Sequence, residues 1–339
     1  MTVVVGFDIH REQVTYDALD DATGEVKRGR IAPADRPALR RFLTSLPVGQ
    51  IEVALEATTG WRFIVEELVA AGAIAHLAEP AETANLRGRK ARAKTDRADA
   101  RHLRELLQQG RLPEAWAPPE EILELRQRVR LRKTLIDERT AWQQRIHALL
   151  FHHGVARPRA LLTREGRALL ARLKLSPSAR ETLEVALAMI DACDAQLGPL
   201  DRELRRYAQR QPGCVALRTM FGVGPLISAA ILGELGDARR FSSSRHAVRF
   251  AGLDITVYSS DARRSPGRLS RQGSSVLRWA VYEAAQTAAR PGSPDHAYYL
   301  TLAARLGKSR AKVALARKLL RRAHHILREL GDAALCPAT

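Results

Sequence analysis

The chain has 339 residues, 55 Lys plus Arg against 37 Asp plus Glu, and 45% apolar residues, for a formal charge of +18 at pH 7. That apolar share excludes a chain disordered for want of core-forming side chains, and the length predicts two or three domains of about 100–200 residues each. Cys193, Cys214 and Cys336 show no CxxC or Cys/His spacing, and no apolar run approaches the roughly 20 residues that span a bilayer, so a disulfide framework, a thiolate zinc site and a membrane helix are all disfavoured.

Residues 3–9, 14–19 and 25–31 are β-rich runs separated by turn-like residues, a predicted three-strand meander. Pro37 then stands near the start of a helix with an apolar stripe of Leu39, Phe42, Leu43 and Leu46, which Pro47 and Gly49 stop. A fourth strand over residues 51–57, a helix over 61–71, a fifth strand over 73–78 and a helix opened by Pro80 follow. The order βββαβαβα is that of the ribonuclease-H-like fold, a mixed sheet carrying acids at its strand ends.

Two carboxylates end otherwise apolar strands, Asp8 after Gly6-Phe7 and Glu56 after Leu55. Carboxylates drawn out of water and brought together by adjacent strands repel each other unless a cation sits between them. Asp96 and Asp99 lie at i and i+3 behind Thr95, a predicted N-cap, and so share a face in a helix's first turn. As a lone acid, Asp96 reads as a charge favouring the helix dipole. As a set, four oxygen-donor groups without His or Cys select Mg²⁺ or Mn²⁺, and two such ions about 3.5–4 Å apart suit phosphoryl transfer. Arg87, Arg89, Lys90, Arg92, Lys94, Arg97, Arg101 and Arg104 form a predicted basic collar suited to a phosphodiester substrate. Asp17, Asp20, Asp21 and Glu52 are expected at the surface.

Residues 1–110 hold 16 basic and 16 acidic residues, so the whole excess of charge lies beyond residue 110. Chemistry in a neutral first part and a grip on a polyanion in the rest is the division this predicts, with nucleic acid as partner. Residues 118–154 read as one long helix carrying Arg126, Arg128, Arg130, Arg132 and Lys133. A second has Leu183, Ile190, Leu197 and Leu204 in heptad spacing. They form either an antiparallel hairpin packed on its own chain or a dimerising coiled-coil spacer with a nucleic-acid-binding back. Beyond Pro212 the chain is mainly helical. There Gly222 and Gly224, between a short helix and an apolar one, either aim backbone N–H groups at a DNA phosphate, as in a helix-hairpin-helix, or simply make a turn. The fold class expected is therefore α/β plus all-α: a ribonuclease-H-like domain over 1–110, a helical spacer over 111–211 and a mainly helical domain over 212–339.

Ser259 and Ser260 precede Arg263, Arg264, Arg268 and Arg271. The cluster reads as a phosphate-binding loop, or as a serine nucleophile whose alkoxide and displaced charge are stabilised by guanidinium groups.

Taken together, Gly6-Phe7-Asp8, Leu55-Glu56-Ala57-Thr58-Thr59-Gly60, Lys94-Thr95-Asp96-Arg97-Ala98-Asp99-Ala100, Phe221-Gly222-Val223-Gly224, Phe250-Ala251-Gly252-Leu253, Tyr258-Ser259-Ser260 and Leu269-Ser270-Arg271-Gln272-Gly273 make the chain resemble the DEDD-type insertion-sequence transposases of family one hundred and ten, bridge-RNA-guided serine recombinases. The resemblance spans nearly the whole chain. It implies that Asp8, Glu56, Asp96 and Asp99 are the metal ligands of a Holliday-junction-resolvase-like domain, and that Ser260, with Ser259 as neighbour, is the nucleophile of a C-terminal transposase domain. It also implies dimers assembling into tetramers, acids of one protomer paired with the serine of another, a guide RNA, and donor and target DNA as substrates. A cytoplasmic location is expected from the absence of a membrane-length apolar run and from a start that reads as a strand and not as a signal peptide. A nuclease using only the carboxylates and a non-catalytic nucleic-acid binder are the competing readings. This sequence departs from the family pattern in one extra residue at Ala57-Thr58-Thr59-Gly60 and in Asp261 where glycine commonly follows the serine.

Overall fold

A computed structural model describes residues 2–47, 49–87, 95–156, 158, 160–255 and 267–337, with 258–260 and 263–265 as backbone. The chain forms two compact units, Met1–Ala117 and Pro118–Thr339.

The first unit is built on β1 (Thr2–Ile9), β2 (Val14–Asp20), β3 (Val26–Ile31), α1 (Arg36–Thr44), β4 (Gln50–Glu56), α2 (Trp61–Ala70), β5 (Ile74–Ala78), α3 (Pro80–Leu86) and α4 (Asp96–Gln108). Its sheet order is β3-β2-β1-β4-β5. The β1-β2-β3 meander is antiparallel, whereas β1-β4 and β4-β5 are parallel. The parallel pairs follow from helical crossovers, which return the chain to the same end of the sheet before the next strand begins. Strand alternation sends Val3, Val5 and Phe7 of β1 and Val53 and Leu55 of β4 into a core with Leu39 and Leu43 of α1 and Ile64 and Leu68 of α2. Fully burying each such large side chain contributes about 1.5–3 kcal/mol. On the opposite face Ala54 and Ala78 pack with Leu103 of α4.

The second unit is mostly helical: α5 (Glu120–His152), α6 (Arg164–Arg172), α7 (Pro177–Arg210), α8 (Pro212–Leu217), α9 (Pro225–Leu235), α10 (Ser244–Phe250), a hairpin of β6 (Tyr258–Ser260) and β7 (Arg263–Ser265), α11 (Ser275–Ala288), α12 (His296–Leu306) and α13 (Lys308–Leu330). The two long helices run antiparallel. Glu121 accepts from Tyr207, Arg132 pairs with Asp201 and Arg139 with Asp194, so numbers rise along α5 as they fall along α7. Their shared core holds Ile146, Leu150, Leu170, Leu183 and Ile190.

Most of the basic face expected on α5 is spent inside the second unit, on α7, on α9 and on α5 itself. Arg130 forms a two-pronged pair with buried Glu234, the Nε of Arg126 donates to the Gly233 carbonyl at 2.9 Å, and Lys133 pairs with Asp137. Among the described residues no helix is long and apolar enough to cross a membrane.

Candidate active site

Because Val3, Val5 and Phe7 turn toward α1 and α2, strand alternation turns Gly6 and Asp8 toward α4, and the same parity puts Glu56 on the Ala54 side of β4. Phe7 pairs with Leu55 in the parallel β1-β4 register, so Asp8 and Glu56 occupy the next position of neighbouring strands. Gly6 lets α4 lie directly on the sheet. A Cβ there would stand 2.0 Å from the Ala100 carbonyl oxygen and 2.7 Å from the Arg104 nitrogen, so only glycine admits the helix at this depth. Thr95 caps α4 by accepting the Ala98 N–H at 3.3 Å, and Asp96 and Asp99 fall in its first turn.

The result is a cluster at the end of β1. One ligand atom each from Asp8, His10 and Asp96 lies within 4.8 Å of the other two. His10 Nε2 is 3.1 Å from Asp8 Oδ2 and 3.5 Å from Asp96 Oδ1, while Gln13 Nε2 donates to Asp96 Oδ2 at 3.4 Å. Burial raises the Asp8 pKa, His10 opposes the rise, and the charges of Asp99 and Asp96 add to it. A carboxylate so placed is one whose charge a bound cation would relieve. Asp8, His10 and Asp96 thus fit a divalent ion by donor chemistry and by convergence. Among the described residues Glu56 and Asp99 fall outside that closest group. Arg87 donates to Asp99 and holds its carboxylate.

A buried ion pair anchors α4 beneath the cluster. Asp17 of β2, expected at the surface, is only 1% exposed. Its Oδ1 accepts from Arg104 Nε at 2.5 Å and its Oδ2 from Arg28 Nε at 2.6 Å. Arg104 also donates to Gln108 at 3.0 Å. The basic collar is corrected accordingly: Arg104 points into the unit, Arg87 is spent on Asp99, and Arg101 pairs with Glu105. Arg89, Lys90, Arg92 and Lys94 lie outside the described residues. The extra residue after Glu56 falls in the turn to α2, where Gly60 takes φ 95° at the N-cap, so the strand carrying Glu56 is not disturbed.

In the second unit Ser260 pairs with Arg263, and Ser259 with Arg264, in the β6-β7 ladder. The expected loop is therefore a short hairpin; Thr256, Val257 and Asp261 lie outside the described residues. Its base is closed by an Ile255–Leu269 bridge, by the Ser270 N–H donating to the Asp254 carbonyl at 3.1 Å and by the Ser270 hydroxyl donating to the Asp254 carboxylate. Arg268 and Arg271 are exposed beside it, Arg271 in the left-handed region at φ 53°. Gly252 and Gly273 pack backbone on backbone, where a Cβ would meet the Gln272 oxygen at 2.1 Å and the Phe250 oxygen at 2.0 Å respectively. The Gly222 and Gly224 pair divides in role. Gly222 has φ 88°, and a Cβ there would meet the Ala284 oxygen of α11 at 2.6 Å, so the chain's own packing accounts for it. Gly224 caps α9 with open space around it, in a cleft of about 640 Å³ that Arg218 and Thr219 also line.

Residues 214–300 match the family described as Transposase IS116/IS110/IS902 family, and residues 5–153 match a transposase family of the DEDD type named for IS110. The y4rJ protein of Sinorhizobium fredii, named a transposase, is 32% identical over 335 residues, covering 89% of this chain and 82% of its own. The chain belongs to the IS110 family of transposases. A Pseudomonas aeruginosa protein named a family 20 transposase is 23% identical over 299 residues, 84% of each chain. The transposase for insertion sequence element IS1111A of Coxiella burnetii is 26% identical over 233 residues, 66% of this chain and 64% of that one.

Of the residues singled out in this transposase by sequence, the structure gathers Asp8 and Asp96, sets Glu56 one strand away in register, and turns Asp99 to Arg87. Ser260 and the arginines near it belong to the other unit. The residue missed was His10. Its signal was present in the alternation of an extended strand, which puts a residue two beyond Asp8 on the same side as Asp8.

Proposed function

We propose that this transposase cuts and rejoins DNA through a divalent-metal site on its first unit and the Ser260 hydroxyl of its second, with an RNA guiding the choice of donor and target. The observation that carries the reading is the convergence of Asp8, Asp96 and His10 at the end of β1 in a chain of the IS110 family. The βββαβαβα order and the mixed five-stranded sheet of the first unit support reading it as a ribonuclease-H-like, resolvase-like domain. Asp8, Asp96, Glu56 and Asp99 would hold Mg²⁺ or Mn²⁺, which supplies positive charge to the phosphate as its own charge builds in the transition state.

Ser260 acts by transesterification. Its oxygen forms a bond to phosphorus as the bond to a deoxyribose oxygen breaks, and the proton leaves the serine as the released oxygen gains one. Attack on the phosphoserine by the hydroxyl of another strand reverses the exchange, so phosphodiester bonds are conserved and no external energy source is needed. Arg263, Arg264, Arg268 and Arg271 stabilise the charge displaced in both steps. Gly224 and its cleft contact the DNA backbone, where contacts position the duplex and leave sequence choice to base pairing with the RNA. The domain limits 1–110, 111–211 and 212–339, assembly of dimers into tetramers with acids and serine from different protomers, and action in the cytoplasm on the nucleoid belong to the same reading.

Strand exchange on a supplied donor and target tests it with two variants. Ser260→Ala is expected to abolish exchange while DNA retention is kept, and Asp8→Asn to do the same. Exchange surviving in Ser260→Ala contradicts serine chemistry, and wild-type protein that cuts DNA with metal but never rejoins it leaves a metal-dependent nuclease. Wild-type protein that retains DNA and never cleaves it leaves a binder.

A further inference from the structure

Among the described residues the group of converging ligand atoms consists of Asp8, Asp96 and one nitrogen donor, His10, and includes neither Glu56 nor Asp99. His10 Nε2 faces both Asp8 Oδ2 and Asp96 Oδ1, at 3.1 and 3.5 Å. Oxygen and nitrogen atoms bound to one divalent ion at about 2.0–2.2 Å stand roughly 3 Å apart at right angles, so the spacing already present is close to that of a shared coordination sphere. The imidazole is half exposed and Asp96 is 40% exposed, so both side chains have room for the small shift that ligation requires. Asp99, in contrast, gives its oxygen to the Arg87 guanidinium, which must leave before that carboxylate could serve an ion.

We infer that His10 Nε2 is a ligand of the ion held by Asp8 and Asp96, making a mixed nitrogen–oxygen site that favours a transition-metal divalent ion over Mg²⁺. The inference rests on the proposed metal site and adds its ligand set and selectivity. Mg²⁺ is small, sheds water reluctantly and prefers oxygen ligands, whereas imidazole nitrogen adds affinity for first-row transition ions. An all-carboxylate site would lack that discrimination. Strand geometry fixes the ligand: His10 follows Ile9, the last residue of β1, and keeps the parity of Asp8, so it reaches the ion from the sheet side while Asp96 reaches it from α4.

The test uses the full-length protein stripped of metal and loaded with one equivalent of Mn²⁺, read by electron spin-echo envelope modulation. The expected result is nitrogen modulation that changes when histidine is labelled with ¹⁵N and disappears in His10→Gln. Mn²⁺ affinity in that variant should fall by about tenfold or more, the scale on which even groups outside the coordination sphere act, with Mg²⁺ affinity nearly unchanged. His10→Asp guards against loss of fold in the first variant: it is expected to bind both ions, show no nitrogen modulation and lose the preference for Mn²⁺. Mn²⁺ bound without nitrogen modulation in the wild type, or modulation persisting in His10→Gln, overturns the inference and leaves the carboxylate site standing. Failure of the wild type to bind Mn²⁺ overturns both.

Discussion

Asp17 carries the anchoring of the site at the level of single residues. It is a carboxylate almost wholly withdrawn from water, and it is tolerable there because two guanidinium groups, Arg104 and Arg28, meet its two oxygens. Removing one partner of such a pair costs more than the pair itself contributes, since a desolvated charge is left without compensation. Asp17→Asn is therefore expected to lower unfolding stability by about 3–5 kcal/mol in urea titration. The joint replacement Asp17→Leu with Arg104→Met, similar in volume and apolar, should restore most of the loss. If the single variant unfolds at the same denaturant concentration as the wild type, the pair does not hold α4.

At the level of elements, the cluster exists because α4 lies against β1 without a side chain between them. Gly6→Ala puts a methyl group into the space of the Ala100 carbonyl, which the helix backbone cannot vacate without lifting. The expected cost is about 1–3 kcal/mol of stability, and Mn²⁺ affinity should fall in the same variant because Asp96 rides on the displaced helix; affinity equal to the wild type would contradict that coupling. The strands were legible in the sequence because Val3 to Phe7 and Val53 to Leu55 are β-prone runs bounded by turn residues, and Thr95 announced the start of α4 by its capping chemistry. The ion pairs were not legible. Arg104 meets Asp17 from 87 positions away, and Arg130 meets Glu234 from 104, so local pattern marked these arginines as solvated or as nucleic-acid contacts. His10 was not legible for a different reason: it follows the last residue of β1, and only the alternation of the extended backbone beyond that strand puts its imidazole beside Asp8. The β6-β7 hairpin escaped because three-residue strands are too short to show alternation.

Across the whole molecule the charge is unevenly divided. The balanced first 110 residues hold the acidic cluster, and the remaining 39 basic against 21 acidic residues carry the whole excess, which on the proposed reading would offset the repulsion between those carboxylates and a polyanionic DNA. Proteins that neutralise many phosphates bind with an affinity that falls steeply with salt, whatever their chemistry, so binding alone does not separate an exchanging enzyme from a passive one. The metal does. Crystals of the full chain soaked in Mn²⁺ and measured at the manganese absorption edge are expected to show an anomalous peak within bonding distance of Asp8, His10 and Asp96. A wild-type crystal with no peak there, or with one bound only elsewhere, would contradict it.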